Sequence, residues 1–141
     1  MATFISHSPD ETETFAARVG THIQSGCVIG LSGELGAGKT QFVKGLARGL
    51  GVNDRVHSPT FTLLNIYNGG RLSLFHLDLY RLESQEQIVG AGLEEYFSPS
   101  GVSVIEWIER WTGPKPAGYR RFCLEIINET ERCITYENSG P

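Results

Sequence analysis

The chain is short of several things, and each shortage closes off a class of protein. No apolar run approaches the roughly 20 residues that cross a bilayer, so no membrane role is expected. Cysteine is limited to Cys27, Cys123 and Cys133, with no CxxC pair; they fall in strand-like runs and read as buried thiols in a reducing compartment, not as a disulfide framework. Positive charge is not in excess. The formal net charge of −4 argues against a chain that grips nucleic acid by itself, because neutralising phosphates is the usual source of that affinity. A local nucleotide site remains compatible with it, since charges beyond about 8 Å are largely screened at physiological salt. The histidines, His7, His22, His57 and His76, show no metal-ligand spacing, and no ligand role is assigned to them. No internal repeat or low-complexity tract interrupts the 141 residues. That length predicts one domain, which buries roughly 68–70% of its unfolded surface. The first seven residues, Met1 to His7, lack the basic and apolar regions of a signal peptide, which predicts a cytoplasmic protein.

What the chain does have is a complete phosphate-binding pattern. Gly33-Glu34-Leu35-Gly36-Ala37-Gly38-Lys39-Thr40 has a glycine, four free positions, then glycine, lysine and threonine. The preceding run, Cys27 to Ser32, is apolar and β-branched like a buried strand, and the following run, Gln41 to Ala47, has helical character. The pattern therefore sits in its required context of strand, loop and helix. Small residues let the loop turn successive N–H groups inward, and the helix adds its positive end. Gly33, Gly36, Ala37, Gly38 and Gln41 are the candidate backbone contacts to a nucleoside triphosphate. Lys39 would reach the β- and γ-phosphates, and the Thr40 hydroxyl would ligate Mg²⁺.

Around this loop the periodicities predict an α/β protein, with a P-loop strand in a central mixed sheet flanked by helices and antiparallel hairpins added to it. Ser8-Pro9-Asp10-Glu11 reads as a capping box opening a helix, with Phe15, Ala16, Val19 and Ile23 as its buried stripe and Gly26 as its end. The phosphate-binding helix turns Phe42, Leu46 and Leu50 to the sheet and stops at Gly49 or Gly51. Ser58 to Tyr67 and Leu72 to Tyr80 form a hairpin about Asn68-Gly69-Gly70. Ser84 with Gln87 opens a short helix, interrupted at Gly90 and Gly92 and resumed to Phe97. Val102 to Glu106 is a short buried strand, Thr112 to Gly118 a loop, and Phe122 to Ile127 with Cys133 to Tyr136 a final hairpin. The pattern does not fix the strand order.

Hydrolysis needs a second carboxylate for Mg²⁺ and a group to orient water. Glu106, ending a buried apolar strand, fits the metal role; the alternative is a solvated acid at a strand end. Asp78 lies in a strand-like run that disfavours aspartate. It acts either on the water or the metal, or structurally, by pairing with Arg81 or capping a turn. Ser58 and Thr60 are placed like a switch segment that senses the γ-phosphate, although Ser-Pro-Thr also makes a simple turn. Trp107 is either core or a contact surface.

The P-loop, Ser58-Pro59-Thr60-Phe61-Thr62-Leu63, His76-Leu77-Asp78-Leu79-Tyr80-Arg81-Leu82 and Ile105-Glu106-Trp107 occur in an order and spacing that resemble the TsaE family, formerly called YjeE. The likeness runs from about Pro9 to Trp107. It implies an ATPase needed to make N6-threonylcarbamoyladenosine at position 37 of tRNA, acting with the proteins TsaD and TsaB and meeting tRNA only through that complex. It further implies that Lys39 holds phosphate, that Thr40 and Glu106 ligate Mg²⁺, that Asp78 and Trp107 are needed for activity, and that Glu11 lies near the adenine. Two positions depart from the family pattern: Gln41 where a second threonine is common, and Ile108 where proline is common. Against this reading stand a small-molecule or nucleoside kinase and a nucleotide-dependent binding module with negligible hydrolysis of its own. A GTP switch is disfavoured, because no Asn-Lys-x-Asp run is present to read guanine.

Overall fold

The computed structural model describes residues 1–56 and 63–137. Along them run β1 (Ala2–Ser6), α1 (Pro9–His22), β2 (Val28–Ser32), α2 (Lys39–Leu50), β3 (Leu64–Tyr67), β4 (Leu74–Asp78), α3 (Gln85–Gly90), β5 (Val102–Glu106), β6 (Tyr119–Ile126) and β7 (Arg132–Tyr136), with 3₁₀ turns at Leu93–Phe97 and Ile108–Arg110. The strands make one seven-stranded mixed sheet in the order β1-β7-β6-β2-β5-β4-β3. The centre is parallel: β2 pairs with both β5 and β6, and β4 with β5. The β3–β4 and β6–β7 hairpins and the β1–β7 pair are antiparallel. This is the expected α/β class.

Every residue of β2 and β5 is buried, as strands covered on both faces must be. One face carries α1 and α2 over Ile29, Leu31, Val104 and Phe122, and the other carries α3 and the 3₁₀ turns over Val28, Leu77 and Ile105. The two larger helices lie against each other at glycine contacts. A Cβ on Gly45 would sit 2.1 Å from the Glu13 carbonyl oxygen, and one on Gly49 would sit 2.1 Å from that of Ala17. No side chain fits there, so glycine is retained despite its poor helix propensity.

The α1 N-terminus matches half of the capping-box expectation: Ser8 Oγ accepts from Glu11 N at 3.1 Å, but Glu11 Oε1 accepts from His7 N at 2.9 Å, one residue before the cap, and not from Ser8 N. Its C-terminus does not match. The helix stops at His22, and Ile23 turns extended to enter the core; Gly26 adopts its positive φ in the separate turn that leads into β2. Gly51 ends α2 as expected. The three cysteines are free but half-buried, not buried as expected. β1 is a strand that the sequence pattern does not announce, β6 begins three residues before its expected start at Phe122, and Ser58 and Thr60 lie outside the described residues. Among the described residues, no helix is long and apolar enough to cross a membrane.

Candidate functional site

The site lies beyond the C-terminal ends of the parallel strands, where α/β sheets place ligands. β2 ends at Ser32, the loop 33–38 follows, and α2 starts at Lys39. Three loop glycines have positive φ: Gly33 at 150°, Gly36 at 84° and Gly38 at 100°. Gly33 is also pinned by space, since a Cβ there would approach the Leu124 carbonyl oxygen to 2.5 Å. Gly38 caps α2 without a side chain, and the first turn of the helix holds no acid. The helix amides and the positive dipole end are therefore uncancelled, which suits an anion.

Lys39 is 5% exposed. Its ammonium donates to the Gly33 carbonyl oxygen and lies 3.9 Å from the centroid of the Trp107 ring. Burial pushes its pKa below the ordinary lysine value, and the carboxylates of Glu106, Glu109 and Asp78 oppose that shift. Trp107 is half-buried and itself has a positive φ of 61°. Its ring meets that of Tyr80 in a tilted contact, centroids 4.9 Å apart and planes at 43°. The residue is thus neither wholly core nor wholly surface, and forms the wall beside the lysine.

Asp78 and Glu106 are paired positions at the ends of neighbouring parallel strands, so their side chains leave the sheet on the same face. Glu106 is 4% exposed, which removes the solvated strand-end alternative. Its Oε2 lies 2.5 Å from His76 Nε2. Asp78 Oδ1 accepts from Tyr80 N at 2.9 Å, so the turn-capping role is real, and Asp78 also lines the cleft. Burial raises the Asp78 pKa; the Tyr80 N–H opposes this, Glu106 reinforces it, and His76 and Lys39 oppose it.

A cleft of about 380 Å³ joins these groups. Its lining includes Gly36, Gly38, Lys39, Thr40, Gln41, Asp78, Glu106 and Trp107. Gly33 and Ala37 shape the loop from behind, where their side-chain positions meet. Gln41 donates to Glu13 Oε2 at 3.1 Å. Glu11 serves the α1 cap, while its neighbours Pro9 and Thr12 reach the cleft wall. Among the described residues, no group of three or more His, Cys, Asp or Glu side chains forms a metal cage. Mg²⁺ does not need one, because it keeps water and takes one or two carboxylates alongside phosphate. Thr40, Asp78 and Glu106 on one cleft fit that donor set.

Sequence reasoning missed one wall altogether. The tip of the β6–β7 hairpin brings Glu129, Thr130 and Arg132 to the cleft. Asn128 Oδ1 accepts from Thr130 N at 3.0 Å and Glu131 N at 2.9 Å, closing the tip. Arg132 donates to the Gly36 carbonyl oxygen at 3.0 Å, and His7 Nδ1 lies 2.5 Å from Glu131 Oε2. Hydrogen bonds from Asn128 and then His7 hold the Glu131 carboxyl below its ordinary pKa. His76 was missed as well. Its alternation with Asp78 on one strand was the available signal, since it puts both side chains on the same face.

A profile described as "Threonylcarbamoyl adenosine biosynthesis protein TsaE" matches residues 6–134. A "tRNA threonylcarbamoyladenosine biosynthesis protein TsaE" of Treponema pallidum (strain Nichols) is 44% identical over 131 residues, covering 93% of this chain and 96% of that protein. The protein of the same name from Bacillus subtilis (strain 168) is 39% identical over 133 residues, covering 94% of this chain and 83% of its own. Among solved structures, Bacillus subtilis YdiB is similar with a TM-score of 0.77 and 34% identity, over 96% of this chain and 83% of that one. With the profile match spanning nearly all of the sheet and both walls of the cleft, the chain belongs to the TsaE family.

Proposed function

We propose that this chain binds and hydrolyses ATP with Mg²⁺ in the P-loop cleft, in the service of threonylcarbamoyladenosine synthesis on tRNA. In this reading it works with TsaD and TsaB and meets tRNA only through them, consistent with its net charge of −4. The observation that carries the reading is the convergence of Lys39, Thr40, Asp78 and Glu106 on one cleft from three separate segments.

The loop amides would hold the phosphate oxygens, and Lys39 would exchange its contact with the Gly33 carbonyl for phosphate. Thr40 and Glu106 would hold Mg²⁺, with Asp78 positioned to orient the attacking water. When bound, the ion neutralises charge that develops on the phosphate oxygens. Trp107 and Tyr80 would shield the reacting end from bulk water. Incomplete P-loop sites hydrolyse slowly until a partner completes them, which motivates the dependence on TsaD and TsaB.

The test is phosphate release from ATP by the chain alone and with TsaD, TsaB and tRNA. The reading expects slow release alone, stimulation by the partners, and loss of both in Lys39→Ala and Glu106→Ala. Normal release by either variant refutes its assigned role. Transfer of phosphate to a nucleoside or sugar would make the protein a kinase.

A further inference from the structure

His76 is fully buried in β4, yet the imidazole is no ordinary core filler. Its Nε2 meets Glu106 Oε2 at 2.5 Å, and among the described residues its buried Nδ1 has no hydrogen-bond partner. A buried polar ring costs free energy unless it makes a hydrogen bond worth more than its desolvation. An apolar side chain facing the same core would carry no such cost. The unpartnered nitrogen also favours one tautomer. A proton on Nδ1 would be a buried donor with no acceptor among the described residues, whereas a proton on Nε2 points at a carboxylate.

The placement follows from the sheet. His76 and Asp78 alternate on one face of β4, and Glu106 stands opposite Asp78 on β5, one diagonal step from His76. Diagonal neighbours are within reach of long side chains. Glu106 is itself buried and requires a donor to stay fixed.

We propose that His76 is a positioning residue for metal binding: its Nε2–H holds one oxygen of Glu106 and leaves the other for a divalent cation in the cleft. His76 touches neither metal nor nucleotide and acts through Glu106. The inference rests on the reading of Glu106 as the Mg²⁺ carboxylate. Partners of this kind, one shell behind a metal ligand, typically change metal affinity 10- to 100-fold when removed.

The test is calorimetric binding of adenylyl imidodiphosphate across a Mg²⁺ titration. It compares the wild-type chain with His76→Gln, whose amide nitrogen reaches the Nε2 position, and His76→Asn, whose amide falls short. Glu106→Gln is the control. Without Mg²⁺, the wild type and the two His76 variants should bind the nucleotide within about twofold of one another, because the loop amides are untouched; Glu106→Gln is compared through its Mg²⁺ dependence alone. The Mg²⁺ concentration for half-maximal enhancement should rise roughly 10- to 100-fold in His76→Asn and Glu106→Gln and stay near wild type in His76→Gln. Unchanged Mg²⁺ dependence in His76→Asn with a weakened Glu106→Gln overturns the positioning role and leaves the metal reading standing. Unchanged dependence in Glu106→Gln overturns both. Should His76→Asn fail to fold, ¹⁵N NMR of the wild-type imidazole decides: the proton on Nε2 supports the proposal, and the proton on Nδ1 overturns it.

Discussion

At the scale of single residues, the cleft concentrates unfavourable choices. Lys39 is buried, Trp107 sits at positive φ, and Asp78 ends a strand under a raised pKa. Each is costly to stability, and the charges of Lys39 and Asp78 stand where a bound metal-phosphate group would offset them. Asp78 gives a pH-dependent test. Because its folded-state pKa lies above the unfolded value, its contribution is fully favourable only below the ordinary carboxylate pKa and is lost as pH rises through the folded value. Asp78→Asn keeps an oxygen for the Tyr80 N–H but cannot ionise. The variant without nucleotide should therefore melt higher than wild type at neutral pH, with the gain disappearing in acid, as read by thermal denaturation across pH. A gain that grew in acid would contradict the account. Lys39, Thr40 and Glu106 were legible from the sequence because a local pattern or a strand end announces them. His76 was not, because its significance depends on a side chain thirty positions away.

At the scale of elements, two packing relations hold the cleft together. The first is the approach of α1 to α2 through Gly45 and Gly49. Gly45→Ala gains about 1 kcal/mol in helix propensity, but its methyl has no room beside the Glu13 carbonyl, and overpacking of this kind costs about 1–3 kcal/mol or more. The net effect should be destabilising, lowering the urea midpoint; a raised midpoint would show that α1 yields easily. The second relation is the β6–β7 tip against the P-loop. Arg132→Ala removes the hydrogen bond to the Gly36 carbonyl, and a net hydrogen bond of roughly 1 kcal/mol corresponds to about a fivefold change. Nucleotide affinity measured by calorimetry should fall by about that factor, and an unchanged affinity would remove the hairpin from the site. The hairpin itself was legible from two strand-like runs, Phe122 to Ile127 and Cys133 to Tyr136, flanking a polar turn. Its docking on the loop was not, because β1 and β7 pair across almost the whole chain, a non-local relation that no short window contains.

At the scale of the whole molecule, the architecture explains why residues so far apart in sequence serve one cleft. Parallel strands β2, β5 and β4 all end on the same side of the sheet, so the phosphate loop, Glu106 and Asp78 emerge together. The β6–β7 hairpin then closes the opposite wall. Fold class followed from the alternation of strand and helix signals, but strand order did not. The insertion of β5 between β2 and β4, and of β6 on the other flank of β2, is decided by which apolar faces cover one another in three dimensions. The central claim is that this edge of the sheet holds a magnesium-nucleoside triphosphate. The most direct measurement is a crystal structure of the chain with adenylyl imidodiphosphate and Mg²⁺. The account predicts triphosphate density cradled by residues 33–40, with the ion beside Thr40 and Glu106; an empty loop, or nucleotide bound elsewhere on the chain, would contradict it.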